Sequence, residues 1–168
     1  VPLLYMTKAT CTAFFSTEKT TGLVVDLGCH STHIVPIYEG YALPHATLRL
    51  DIGGEDLTKY LMKLLNEERG CDFSAPNELD TLRRVKERVC YVALDFNSEL
   101  EDKEDAESIT SKVDGILVGS EKFRVPEALF QPALMLKGSV EDNKGIHVLI
   151  HESIMNTDAE IYNDLYSN

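Results

Sequence analysis

The 168 residues carry a formal charge of −12, with 43% hydrophobic and 26% charged side chains, a globular mix with room for a core. An acidic field of that size repels phosphates, which excludes nucleic acid and anionic membrane surfaces as partners, and no apolar run approaches the roughly 18 residues of a membrane span. Cys11, Cys29, Cys71 and Cys90 are far apart and form no C-x-x-C pair, so a reducing, cytoplasmic setting is expected rather than a disulfide scaffold or a cysteine metal site.

Val1 to Phe15 places Leu3, Met6, Ala13 and Phe14 at helical spacing, and a helix is expected despite Thr7, Thr10 and Thr12. A start at Val1 rather than methionine suggests a piece of a longer chain. After the polar link Ser16 to Gly22, Leu23-Val24-Val25 reads as a buried strand. It ends on Asp26 and the tight segment Leu27 to Ser31. Thr32 to Tyr38 is a second strand, in which Pro36 argues for an edge or bulged position. Glu39-Gly40 turns the chain, Tyr41 to Leu43 extends it, and Leu48 to Asp51 alternates as a third strand. A carboxylate and a glycine closing a strand suit an anion site, with backbone N–H groups facing a phosphate and the acid holding a hydrated divalent metal. The same Asp-x-Gly is also an ordinary β-turn, and turn chemistry alone favours that plainer role.

Ile52-Gly53-Gly54 opens the clearest helix, with Leu57, Tyr60, Leu61 and Leu64 on one face, Glu55 and Asp56 in the first turn and Gly70 at its end. Ser74-Ala75-Pro76 opens another, striped by Leu79, Leu82, Val85 and Val89. Lys86 falls on the edge of that stripe, where its stem can follow the core boundary and its ammonium can reach a cleft, and Glu87 lies beyond it. The acidic run Ser98 to Ser108 is expected to be a solvated or disordered loop, with an acidic interaction patch as the lesser alternative. Ile109 to Phe123 reads as a hairpin about Asp114-Gly115, and Pro126 to Pro132 as a short helical turn. Ala133 to Leu136 is apolar and Lys137 to Lys144 polar. Ile146 to Met155 is expected to be a helix with Ile146, Leu149, Ile150 and Ile154 inward; His147 and His151 stand one turn apart on it, a spacing zinc can use, but with no third ligand nearby they are taken as ordinary helix residues. Thr157 to Glu160 has a capping-box pattern for a last helix through Leu165. Strands joined through helices imply a mixed α/β sheet with an inserted α/β lobe.

Several long runs identify a family. Thr20-Thr21-Gly22, Val35 to Ala46 (VPIYEGYALPHA), Leu57-Thr58, Tyr60 to Lys63, Cys90 to Phe96 (CYVALDF) and Pro126 to Pro132 (PEALFQP) closely resemble the actin and actin-related proteins, and the likeness covers nearly the whole chain. The resemblance implies an actin-like (ribonuclease-H-like) mixed sheet with an inserted smaller α/β lobe. It implies a hinge-side helix of the small domain at 1–16, an incomplete inner lobe at 17–52 plus 138–168, and an outer lobe at 53–137. It places the first phosphate loop before Val1 and the adenosine loop after Asn168. The apolar loop that joins filament subunits would lie near Ala133 to Leu136, but the segment before Gly145 is longer than the actin pattern.

By the same resemblance the cofactor is ATP or ADP with Mg²⁺ or Ca²⁺. Asp26 matches the carboxylate that acts on the metal through water, and Gly28 and Thr32 keep the D-x-G-x-x-x-T outline of its loop. Gly54 matches the glycine that lets backbone approach the nucleotide, Lys86 and Glu87 the pair lining the adenine and ribose pocket, and His33 the histidine near the attacking water. The departures matter as much. Cys29 stands for a second aspartate, His30 for a glycine, Glu55 for an arginine, and Ala9 for the glutamine that orients the water.

The resemblance therefore implies a cytoskeletal or scaffolding subunit with weak or absent hydrolysis, acting with actin or actin-related subunits and actin-binding proteins. The alternative is an actin-type ATPase that assembles into filaments, against which Ala9 and the other departures weigh. A sugar kinase or chaperone of the wider fold shares only the D-x-G loop, and the Tyr38 to Ala46 run disfavours it.

Overall fold

The computed structural model describes residues 2, 9–73, 75–101, 111–113, 115–135 and 144–168. Expectations for 3–8, Ser74, 102–110, Asp114 and 136–143 lie outside the described residues. The chain divides into two compact units, Val1–Gly53 with Ile146–Asn168, and Gly54–Gly145.

The first unit is built on an antiparallel sheet of Gly22–Leu27 (β1), Thr32–Tyr38 (β2), Tyr41–Ala42 (β3) and Leu48–Leu50 (β4), in which β2 pairs with all three others. β2 and β3 are joined by Glu39 (φ 48°) and Gly40 (φ 84°), the two left-handed residues of a hairpin turn whose twist matches the strands. Pro36 thus lies in the central strand, not at an edge. The register explains why. The Leu23 amide points away from β2, to the Asn168 carbonyl at 2.8 Å, so its partner Pro36 faces the opposite flank. There β3 pairs only with Ile37 and Tyr38 and β4 only with Thr32 to Ile34, and the missing N–H falls in the gap between them. The Pro36 carbonyl still accepts from Leu43 N at 2.9 Å.

β1 is also less buried than its apolar run suggests. It ends the sheet order, Leu23 to Val25 are half-buried and Leu27 is 55% exposed. β2 is covered on both faces. Val35 and Ile37 pack with Cys11 and Phe14 of the helix Ala9–Phe15 (α1).

After the second unit, Ile146–Met155 and Tyr162–Ser167 return to this sheet, packing Ile154, Ile161 and Leu165 with Leu23 and Leu43. The Ser153 hydroxyl, fully buried, donates to Ala46 O at 2.7 Å and fastens the first of these helices to the turn Pro44–Ala46. Of its four expected inward residues, Ile146 and Ile154 are buried and Leu149 and Ile150 half-buried. The expected capping box does not form: Thr157 Oγ1 donates back to Ile154 O at 2.7 Å, and Asp158 makes no side-chain cap bond. A hydroxyl just past a helix finds the last turn's unpaired carbonyls as readily as the next helix's amides.

In the second unit, Gly54–Arg69 (α2) packs on Pro76–Val89 (α3) around Tyr60, Leu61, Leu64, Leu65, Leu82 and Val85. Gly70, at φ 64°, closes α2. At α3, Ala75 N donates to Glu78 Oε2 at 2.7 Å. Phe96–Glu101 (α4) makes the start of the acidic run helical rather than looped, though its charged face is solvated. The hairpin is Ser111–Val113 (β5) with Ile116–Val118 (β6), turning through Gly115 at φ 85°. It stops at Val118, because Glu121–Glu127 (α5) already claims Phe123. Pro126 lies inside α5, so the carbonyl of Lys122 has no amide four residues on; Tyr91 N supplies one at 3.2 Å. The return helices of the first unit follow as α6 (Ile146–Met155) and α7 (Tyr162–Ser167). Among the described residues no helix is long and apolar enough to cross a membrane.

Candidate functional site

In the first unit the β1–β2 connection is a tight loop. Gly28 N donates to Ser31 O at 3.0 Å, and a Cβ on Gly28 would stand 2.9 Å from that oxygen. The loop is held from beneath by the end of β4. Thr32, fully buried, donates from Oγ1 to Ile52 O at 2.9 Å, and Gly53 lies so close that a Cβ there would sit 2.3 Å from Cys29 O and 2.6 Å from His30 N. This support leaves Cys29 and His30 exposed on the loop. Thr32 therefore bears on the site by fixing the loop's end, since its hydroxyl is spent in the core.

Asp26 pairs with His33 across the strands, so both side chains emerge on one face of the sheet, the face of Val24, Val35 and Ile37 that α1 covers. Asp26 is exposed; His33 is half-buried, with Nε2 3.1 Å from Ser31 Oγ. Ala9 lies in α1 and is exposed. One face thus carries a carboxylate and an imidazole oriented by a hydroxyl, and the helix that covers it includes the exposed apolar methyl of Ala9.

In the second unit Lys86 is half-buried, as its position on the stripe suggests. Its Nζ donates to Gly54 O at 2.5 Å and Thr58 Oγ1 at 3.0 Å, and Thr58 Oγ1 donates to Gly54 O at 2.9 Å. Lys86 and Gly54 are therefore brought together at the start of α2, while Glu87 points to solvent from α3. Glu55, in the first turn of α2, pairs with Lys59 at 2.7 Å. One turn beyond Lys86, at the C-terminal cap of α3, burial pushes the Cys90 thiol up to about 11 against the nearby charges of Lys86 and Lys122, which makes it a poor nucleophile.

Gly53 was not singled out from the sequence, although the signal was there: paired glycines after a strand mark close backbone approach. Gly53→Ala is expected to displace residues 28–31 and to destabilise the protein by about 1–3 kcal/mol, the usual cost of forcing atoms into a packed site. Urea unfolding measures this; a Gly53→Ala protein of unchanged stability would contradict the close packing.

An antiparallel sheet clad by helices, with a carboxylate and a glycine at the tight loop closing its first strand, defines a mixed α/β protein. The family model for actin matches residues 1–168, the whole of the sequence, and the chain belongs to the actin family.

Proposed function

We propose that this chain is the nucleotide-facing part of an actin-related cytoskeletal or scaffolding subunit that holds ATP or ADP mainly as a structural ligand and hydrolyses it poorly. The first unit then corresponds to the inner lobe of the ribonuclease-H-like fold and the second to its inserted outer lobe. Actin or actin-related subunits and actin-binding proteins are the partners.

The observation that carries the weakened nucleotide site is the composition of the exposed loop. Asp26 is exposed and offers hard oxygen to a hydrated Mg²⁺ or Ca²⁺, but Cys29 and His30, presented to solvent by the Gly53 support, are a soft and a borderline donor. Asp26 fits the hydrated cation; its neighbours on the loop do not. The cation, when bound, would offset nucleotide charge; the protein's own share is to orient its water shell through Asp26. Gly28, Cys29 and His30 shape the loop, and Thr32 anchors it. In the second unit, taken by itself, Gly54, Lys86 and Glu87 are the residues the family resemblance assigns to nucleotide contact; Lys86 is held at Gly54 by its hydrogen bond to the Gly54 carbonyl.

Calorimetry with Mg-ATP tests the proposal on wild type and on Cys29→Asp/His30→Gly. Wild type is expected to bind more weakly than the micromolar range, about −8 kcal/mol, and the double variant about 10–100-fold more tightly, the usual effect of a metal's surrounding shell. Micromolar binding by wild type with no gain in the variant would overturn it in favour of an ordinary actin-type ATPase site.

A further inference from the structure

We propose that His147 and His151 form a surface site for a late first-row divalent metal ion of the Zn²⁺ class, separate from the loop at Cys29 and independent of the nucleotide. Both lie on α6, a regular ten-residue helix, and both rings are exposed. Positions four apart share one side of a helix, with Cβ atoms about 5–6 Å apart. That is the i, i+4 arrangement through which paired histidines of one helix take zinc.

A second observation bears on the same atoms. His151 Nδ1 lies 2.7 Å from the hydroxyl oxygen of Tyr166 on α7. Either direction of this hydrogen bond orients the ring from behind, as ligating imidazoles commonly are held, and in the tautomer where Nδ1–H donates to that oxygen the lone pair on Nε2 is left for a metal. Buried Ile146 and Ile154 fix α6 against the sheet, so the pair is mounted on a rigid element. Two imidazole ligands are fewer than the three protein ligands of a catalytic zinc centre, so the remaining positions fall to water and the site is an exposed surface one. Imidazole selects Zn²⁺, Ni²⁺ or Cu²⁺ over Mg²⁺ and Ca²⁺. The charge of −12 raises the local concentration of any cation.

The test is calorimetric titration with ZnCl₂ in a Cys29→Ser background, which removes the exposed thiol as a competing ligand. One equivalent is expected to bind, at least tenfold more weakly in His147→Ala and in His151→Ala, with Mg²⁺ producing no heat. Tyr166→Phe is expected to weaken binding about 10–100-fold. Because both histidines are exposed, circular dichroism of the variants is expected to match that of the parent, so loss of binding is not loss of fold. Zinc binding unchanged in either histidine variant, or none by the parent at millimolar metal, overturns the site. Unchanged binding in Tyr166→Phe overturns the positioning role of Tyr166.

Discussion

Arg69→Ala is expected to destabilise the second unit by about 3–5 kcal/mol, the cost of leaving a buried charge without its partner. Glu121, the first residue of α5, is 1% exposed, and Arg69, the last of α2, grips it with two hydrogen bonds, Nε to Oε1 at 2.6 Å and Nη2 to Oε2 at 3.1 Å. The Gly119 amide adds a third at 2.6 Å. Burial alone would push the Glu121 carboxyl up, but these donors outweigh it and hold the group below its ordinary value. A carboxyl depressed in this way contributes stability above its unfolded pKa and loses it as pH falls through the folded one. The wild type should therefore lose stability on acidification through that window, and Arg69→Ala should not show the same loss. Replacing both partners, as Arg69→Met/Glu121→Leu, removes the stranded charge and is expected to cost much less than the single change. Urea unfolding followed by circular dichroism compares the three proteins. A single variant within about 0.5 kcal/mol of wild type, the range of an ordinary surface change, would show that the pair does not tie α2 to α5.

Much of this fold is legible in the sequence where a pattern is local. The β-branched runs around Asp26 give β1 and β2, the spacing of Leu57, Tyr60, Leu61 and Leu64 gives α2, and α6 begins at Ile146 and ends at Met155 as its periodicity indicates. Gly70 and Gly115 take the positive φ their positions call for. The misses share a cause, since each depends on a partner distant in the chain. Pro36 is acceptable in a central strand only because two short strands leave a gap beside it. Arg69 and Glu121 are 52 positions apart, and neither is marked by any local pattern. Gly53 matters for a backbone that precedes it by more than twenty residues. For the site, the loop and its residues are legible from resemblance, whereas the burial of the Thr32 hydroxyl and the commitment of Lys86 to Gly54 and Thr58 are facts of packing.

The proposed weakness in hydrolysis rests above all on Ala9. Hydrolysis needs a water held in line with the terminal phosphate and a group that helps to take its proton. A positioned group of this kind typically contributes about 10²–10⁴-fold, or roughly 3–5 kcal/mol of barrier. Ala9 lies in α1, which covers the face bearing Asp26 and His33, and its methyl can neither donate nor accept. His33 keeps Ser31 as a neighbour, yet a hydroxyl 3.1 Å from its ring does not replace an amide reaching the water. Cys29 lies in the metal's surroundings in the proposed site, where a substitution commonly changes function about 10–100-fold. The decisive measurement is the rate of phosphate release at saturating Mg-ATP in wild type, Ala9→Gln and Cys29→Asp. Slow release by wild type is expected, with a gain in Ala9→Gln of about 10²-fold or more that exceeds the gain in Cys29→Asp. Wild-type release as fast as that of actin, or recovery in Cys29→Asp with none in Ala9→Gln, would contradict it.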